Sequence, residues 1–278
     1  MNIREKFLNS NIFNFEETGF TWHENRVYKL NNNLIENDVF LGLTKDSLIL
    51  LNDLKLEDSE LNPDLLIFAS RHRSKTARPA FLVHSTGNWG READFGGEPK
   101  TLSNTSALLH KAGFISLIEQ ELPPRLNGFS IDIEVTHHGP TILDVPLTFM
   151  ELGSSRVEWN IREAGVILTK AIINTIQKYI EYKEGGNQMV GLGFGGTHYA
   201  PNFHRLIKNN NLAMSFMCPK YFIQDLNSDM IKQMINNTLE EVDYFIIDWK
   251  GTNSDDKRQL IPLLEEFEVP IKKTKDFK

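Results

Sequence analysis

With one cysteine in 278 residues, Cys218, the chain has no pair to oxidise, which excludes an internal disulfide framework and fits a reducing compartment. Long apolar runs are missing as well. No stretch approaches the ~18 consecutive apolar residues of a membrane span, and the opening Met-Asn-Ile-Arg-Glu-Lys lacks the basic-then-apolar form of a signal peptide. The chain therefore reads as cytoplasmic and without a membrane partner. A surplus of positive charge is absent too. The 37 acidic and 30 basic residues give a formal charge of −7, which argues against a polyphosphate held by overall charge while leaving room for local basic clusters. Internal repeats, low-complexity tracts and Pro/Ser-rich linkers do not occur, so 1–278 reads as a single α/β domain, expected as a monomer. Its 40% hydrophobic content suffices for a sizeable core.

What is present is organised around residues 129–140. Ile131, Ile133 and Val135 alternate with Ser130, Asp132 and Glu134, the period-2 pattern of a strand with one buried face. This run ends in His137 and His138, and Gly139-Pro140 stops its continuation. Other strand-like runs end in the same way, in a residue able to bind a metal or move a proton: His72, His84, Glu151, His198 and Asp248.

Around that stretch the pattern predicts a helix over 2–9, an asparagine-rich and weakly patterned 10–37, and short β-prone runs at 39–44 and 47–51. Residues 64–70 read as a strand buried on both faces and 79–84 as a second. Residues 87–100 hold too many glycines and prolines for regular structure. A short helix is expected over 103–111, capped by Ser103 and ended by Gly113, and the longest helix over 155–183, ended by Gly185-Gly186. Strands at 188–192, 212–217 and 242–248 then alternate with helices from 201, over 228–239 and over 255–267. Such alternation implies a largely parallel sheet covered by helices on both faces, a three-layer α/β arrangement.

In open α/β sheets the binding crevice lies outside the carboxyl ends of the strands. A lone strand-end histidine is by default an ordinary hydrogen-bonded one, but five of the eight histidines fall on such exits. Zinc suits imidazole and carboxylate ligands; a metal-free histidine base is the alternative. If strand geometry persists, His137 and His138 point to opposite faces and one of them faces the crevice. Gly191, Gly193 and Gly196 spell Gly-x-Gly-x-x-Gly, yet Pro201 follows too soon and 212–217 ends without the acid a dinucleotide loop requires. The preferred reading gives Gly195 and Gly196 a backbone that approaches substrate closely and offers N–H groups to an oxyanion or carbonyl. Trp89 and Tyr199 are candidates to stack a terminal base, with a structural role as the simpler reading. Cys218 has no base beside it and reads as buried. Arg71, Arg73, Lys75 and Arg78 form an acid-free cationic run around His72, either a solvated loop or a phosphate contact.

Taken together, Ser70-Arg71-His72, His84-Ser-Thr-Gly87-Asn88, 93–97, Val135-Thr-His-His-Gly-Pro140-Thr, Glu151-Leu-Gly-Ser154, Gly195-Gly-Thr-His-Tyr-Ala-Pro201 and Asp248-Trp-Lys-Gly251 resemble the archaeal and plant type of D-aminoacyl-tRNA deacylase. The resemblance spans roughly residues 65–251. It implies hydrolysis of the ester between a D-amino acid and the terminal ribose of tRNA, with zinc as cofactor, and a central mixed sheet between helices like that of phosphorylases and peptidyl-tRNA hydrolases. Zinc would be held by a subset of His72, His84, His138, Glu151 and His198. Glu134 or a remaining histidine, His137 or His138, would move the proton. Arg71 and Arg73, with Asn88, Gly195, Gly196 and Tyr199, would meet the acceptor end. Two departures stand out. Family members begin with an apolar strand before the Asn-Ile-Arg stretch, inside which this chain starts, and the often basic position after Pro201 is Asn202. The rival expectations are a zinc peptidase or amidohydrolase on small substrates and a noncatalytic tRNA or nucleotide binder.

Overall fold

The computed structural model describes residues 3–31, 35 and 37–277. In chain order the elements are α1 Ile3–Leu8, β1 Asn14–Trp22, β2 Asn25–Asn31, β3 Phe40–Leu41, β4 Leu66–Arg71, β5 Ala80–His84, β6 Gly87–Asn88, β7 Thr101–Leu102 and α2 Ala107–Ile118. There follow β8 Ser130–Ile133, β9 Leu147–Gly153, α3 Arg156–Trp159, α4 Arg162–Gly185, β10 Met189–Phe194, α5 Pro201–Asn209 and β11 Leu212–Cys218. The last are α6 Ser228–Asn236, β12 Tyr244–Ile247, α7 Ser254–Leu264 and β13 Ile271–Lys273. Asn2, part of the expected first helix, lies outside the described residues.

Two four-stranded sheets carry the scaffold. One, ordered β11-β10-β12-β13, is wholly parallel. The other, β4-β9-β5-β8, is mixed: β4 runs parallel to β9 and β8 to β5, while β5 and β9 are antiparallel. They join where the chain beyond β8 meets β11. Thr136 N–H donates to the Met217 carbonyl (3.1 Å), Met217 N–H returns to the Thr136 hydroxyl (3.0 Å), and the Ser85 hydroxyl reaches the Ser215 carbonyl (2.8 Å).

The alternation in β8 becomes two faces of the mixed sheet. Phe81, Val83, Ile133, Met150 and Leu152 share one apolar cluster with Phe114 and Leu117 of α2 and Leu168 and Ala171 of α4. The residues between them point to the opposite face, where the site lies. In the parallel sheet Met214 and Ile246 join Phe203 and Leu206 of α5, whereas Phe194, Phe216 and Phe245 join Met230 and Met234 of α6 and Leu260 and Leu264 of α7. Helices thus cover that sheet on both sides, as the α/β alternation implied.

Several local expectations are corrected. Residues 10–37 contain the β1-β2 hairpin, which with β3 forms a separate antiparallel sheet. β4 is half-buried because it is the edge strand of its sheet. Residues 87–100 are closed by the β6-β7 pair. α2 starts later than expected, with Ser106 as its cap: the hydroxyl accepts from Leu109 N–H (3.0 Å), and the Glu240 carboxylate accepts from Ala107 N–H (2.8 Å). Ser103 instead donates to the Thr86 carbonyl (2.9 Å). Gly113 lies inside α2, where an added Cβ would stand 3.4 Å from Val83 and 3.5 Å from Met150, so its small size lets the helix sit close to the sheet. The expected 155–183 helix is two. A capping box of Ser155 and Glu158 starts α3, the chain breaks at Asn160-Ile161, and α4 ends at Gly186 with φ +59°.

Candidate active site

β5, β8 and β9 build the floor. Leu82 stands opposite both Glu151 and Asp132, and His84 opposite Phe149, so Asp132, Glu151 and His84 share the face away from the helical core. Glu134 follows Asp132 at the strand period and joins them. Glu151 is therefore an interior residue of β9 and not a strand exit. Because β5 and β9 are antiparallel, His84 and Glu151 come together over the face of the sheet instead of beyond one set of carboxyl ends. His72, just past β4, is held by its own N–H to the Leu152 carbonyl (3.0 Å) and by the Trp159 indole donating to its carbonyl (3.0 Å). A Cβ at Gly153 would lie 2.8 Å from the His72 Cβ, so glycine there permits the approach.

His137 and His138 both enter the cluster, contrary to the one-facing expectation. The strand ends at Ile133, and His138 takes a left-handed backbone (φ +44°) that turns the alternation off. The His137 ring centroid lies 4.3 Å from His84, 4.5 Å from His138 and 4.8 Å from His198. Phe149 closes the base of the group, stacked on His84 at 5.2 Å.

Hydrogen bonds orient the rings. Nδ1–H of His84 donates to the Ser85 carbonyl (3.0 Å), that of His137 to Val135 (2.7 Å) and that of His138 to Gly139 (2.7 Å), leaving each Nε2 with a lone pair. His72 directs Nδ1 at Glu151 Oε2 (3.1 Å), with Glu134 Oε2 at 3.6 Å. His198 is reversed. Its Nε2 meets Glu134 Oε1 at 2.9 Å and must donate there, so Nδ1 is the acceptor, with the Tyr221 hydroxyl at 3.4 Å.

Charges follow this geometry. Burial alone would lower the pKa of His72 and His84, but Glu151, hydrogen-bonded to His72 and 3.6 Å from His84 Nε2, and the charge of Glu134 raise both. Burial would raise Glu151, yet His72 and His84 hold it well below the usual carboxylate range. Burial and then the neighbouring imidazoles push His137 well down and His138 to about 4. These two rings keep some solvent access, which softens the effect of burial, but the adjacent imidazoles act in the same direction. Both are neutral at pH 7.

Three groups have ligand atoms within 4.8 Å of one another: His84, His137 and His138; Glu134, His137 and His198; and His72, Glu134 and Glu151. They share members and form one cluster. Nε2 of His72, Nε2 of His84 and Oε2 of Glu134 are buried without a hydrogen-bond partner among the described residues. The recorded ion-pair partners of the two buried carboxyl groups are all histidines. A donor set of imidazole nitrogens and carboxylate oxygens with orphaned buried atoms fits a metal cation, which would satisfy them.

Other expected residues fall elsewhere. Asn88 is buried, and its amide donates to the Gly96 (2.8 Å) and Glu98 (3.1 Å) carbonyls, holding a loop. Gly195 N–H is engaged by the Cys218 carbonyl (2.8 Å) and Gly196 N–H by Gly251 (3.2 Å), so neither is free for an oxyanion. Their left-handed φ values (+99° and +79°) and a projected Cβ at Gly195 only 2.0 Å from Thr252 Oγ1 explain the glycines structurally. Asp248 supports the same loop, accepting from Asn202 (2.9 and 3.0 Å) and Gly251 N–H (3.1 Å). Trp89 is buried, its indole donating to the Thr136 carbonyl (2.8 Å), and cannot stack a base. Tyr199 lies under the Arg78 guanidinium, 4.4 Å from the ring centroid, and Arg78 also pairs with Asp132. Arg71 lies over Trp159 (5.2 Å), while Arg73 and Lys75 are exposed. Tyr221 and the exposed Phe95 were not singled out from the sequence. Tyr221 sits three positions past the end of β11, where the strand-exit rule applied elsewhere would have found it.

A buried imidazole–carboxylate centre on an α/β scaffold has groups that hydrolytic enzymes use, and the relatives of this chain are hydrolases. More particularly, the chain belongs to the D-aminoacyl-tRNA deacylase family, whose model matches residues 59–272. Proteins of that name from Pyrococcus furiosus and Thermococcus onnurineus are 33% and 36% identical over 272 residues, 96% of this chain and 93% of each relative. The one from Methanocaldococcus jannaschii is 35% identical over 219 residues, 77% of this chain and 84% of the relative. A crystal structure of a conserved protein of unknown function matches with a TM-score of 0.82 and 32% identity, covering 99% of this chain and 91% of that one. Among the described residues no helix is long and apolar enough to cross a membrane.

Proposed function

We propose that the chain hydrolyses the ester bond between a D-amino acid and the terminal ribose of tRNA, freeing both, with zinc as cofactor and the acceptor end as its contact. The observation that carries this reading is the merging of five histidines and two glutamates into one cluster, beside exposed cations, in a chain of this family. Zinc would be held by His84, His137 and His138, whose Nδ1–H groups are tied to carbonyls and whose Nε2 atoms keep their lone pairs. Bound there, zinc would supply Lewis-acid polarisation of a carbonyl and lower the pKa of a water to about 7. This assignment moves His137 from proton carrier to ligand and His198 from ligand to proton carrier.

Glu134 accepts the His198 Nε2–H and fixes the tautomer, so Nδ1 is the atom that takes the proton of the attacking water. The same nitrogen returns it to the ribose oxygen as the ester opens, and the carboxylate steadies the transient imidazolium. Glu151 orients His72 and supplies negative charge beneath the ligand set. Arg73 and Lys75, exposed and without a side-chain partner among the described residues, would meet acceptor-stem phosphates, whereas Arg71 and Arg78 are restrained over aromatic rings. Release of labelled D-tyrosine and L-tyrosine from charged tRNA tests the reading. D-selective release supports it; equal release of both isomers, or of neither, rejects it.

A further inference from the structure

Three aromatic side chains are strongly exposed among the described residues: Phe40, Phe95 and Tyr221. Phe40 belongs to the N-terminal sheet and already has the Lys29 ammonium over its ring at 5.7 Å. Tyr221 is engaged with His198 and with the Phe222 ring at 5.0 Å. Phe95, 68% exposed, has no ring or cation contact among the described residues. Exposing so large an apolar surface has a cost that a ligand can recover.

The loop that carries it is fixed, and fixed to the site. Gly139 N–H donates to the Phe95 carbonyl (3.2 Å), next to His138. Asn88 holds the following residues through the Gly96 and Glu98 carbonyls. Gly96, at φ +85°, packs so closely that a Cβ would stand 1.8 Å from the Ile49 carbonyl oxygen. The exposed Leu50 lies against the same glycine and extends the apolar surface. The exposed charges nearest Phe95 along the chain are the acids Asp94 and Glu98, with Arg91 and Glu92 further back in the loop, so the loop carries no surplus of cations for phosphate. The exposed ring of Phe95 is the surface it offers to a ligand.

Resting on the function proposed above, we infer that Phe95 is the platform on which the terminal nucleobase of the tRNA stacks, placing the esterified ribose over the histidine cluster. Base–aromatic stacking is flat, tolerant of the base and indifferent to phosphate charge, so it suits the one nucleoside every tRNA presents at this end. Trp89 and Tyr199, the candidates read from the sequence, are respectively buried and covered by Arg78.

The test compares wild-type protein, Phe95→Ala and Phe95→Trp on D-tyrosyl-tRNA and on D-tyrosine esterified to adenosine, which lacks the acceptor stem. Phe95→Ala should raise KM about tenfold or more on both substrates, with kcat held and the defect unchanged by salt; Phe95→Trp should keep wild-type KM. An unchanged KM in Phe95→Ala, or a rise on tRNA alone, overturns the platform. A wild-type protein inert on both substrates overturns the functional reading and the platform with it.

Discussion

Glu134→Gln removes a charge while keeping shape, and the surroundings of Glu134 determine its effect. The side chain is fully buried; Oε1 accepts from His198 Nε2 at 2.9 Å, and Oε2 is 3.6 Å from His72 Nδ1. An amide offers only one acceptor oxygen, and without the charge it no longer steadies an imidazolium on His198. A positioned acid–base group contributes about 10²- to 10⁴-fold, and a neutralised carboxylate behind a histidine base has cost about 10⁴-fold elsewhere. Aminoacyl esters are labile, which favours the lower part of that range. Single-turnover release of D-tyrosine should therefore slow by roughly 10²-fold or more, while KM stays near wild type because Glu134 is shielded from a bound tRNA. Tm should change little. A kcat within about threefold of wild type in a folded Glu134→Gln protein would refute the role of the Glu134–His198 pair.

Replacing Arg73 and Lys75 together by Ala should raise KM for tRNA and flatten its salt dependence by about 1.5 log units per log unit of salt; an unchanged KM would remove the phosphate role. Gly195→Ala places a methyl on Thr252 at a left-handed φ and should cost at least about 2 kcal/mol, several degrees of Tm, in a thermal melt. His110, buried with its Nδ1 on the Met214 carbonyl (3.1 Å), has its pKa lowered from 6.5 to about 4, chiefly by burial. Between those values the unfolded chain takes a proton that the folded one refuses. The contribution is complete above about pH 6.5 and is lost as pH falls to about 4, roughly 3 kcal/mol in all. Urea midpoints across that window should fall less steeply for His110→Gln than for wild type, and parallel curves would count against the assignment.

How far the fold was legible follows from how local its causes are. β5 and β8 were legible because an apolar run bounded by Pro79 and the Ile131-Ile133-Val135 alternation act through neighbouring residues. The β1-β2 hairpin was not, since much of it is exposed on both faces and burial leaves no clean period in the sequence. The start of α2 depends on Glu240, more than 130 positions away along the chain. The five histidines read as strand exits lie in one cluster, but which way each ring faces depends on a left-handed turn at His138 and on carbonyls of Ser85, Val135 and Gly139. The same limit misled the reading of Gly195 and Gly196, whose donors are engaged by the Cys218 and Gly251 carbonyls, which approach only in the folded chain. Phe95 carried no pattern of its own; its exposure is a property of the packing around Asn88 and Gly139.

The most direct measurement is the rate of D-tyrosine release from charged tRNA by protein stripped with a chelator, before and after zinc is returned, with zinc content assayed on the same samples. The account predicts that release falls with metal removal, returns in proportion to zinc bound, and stays selective for the D isomer throughout. Full activity in metal-free protein would contradict the role given to His84, His137 and His138.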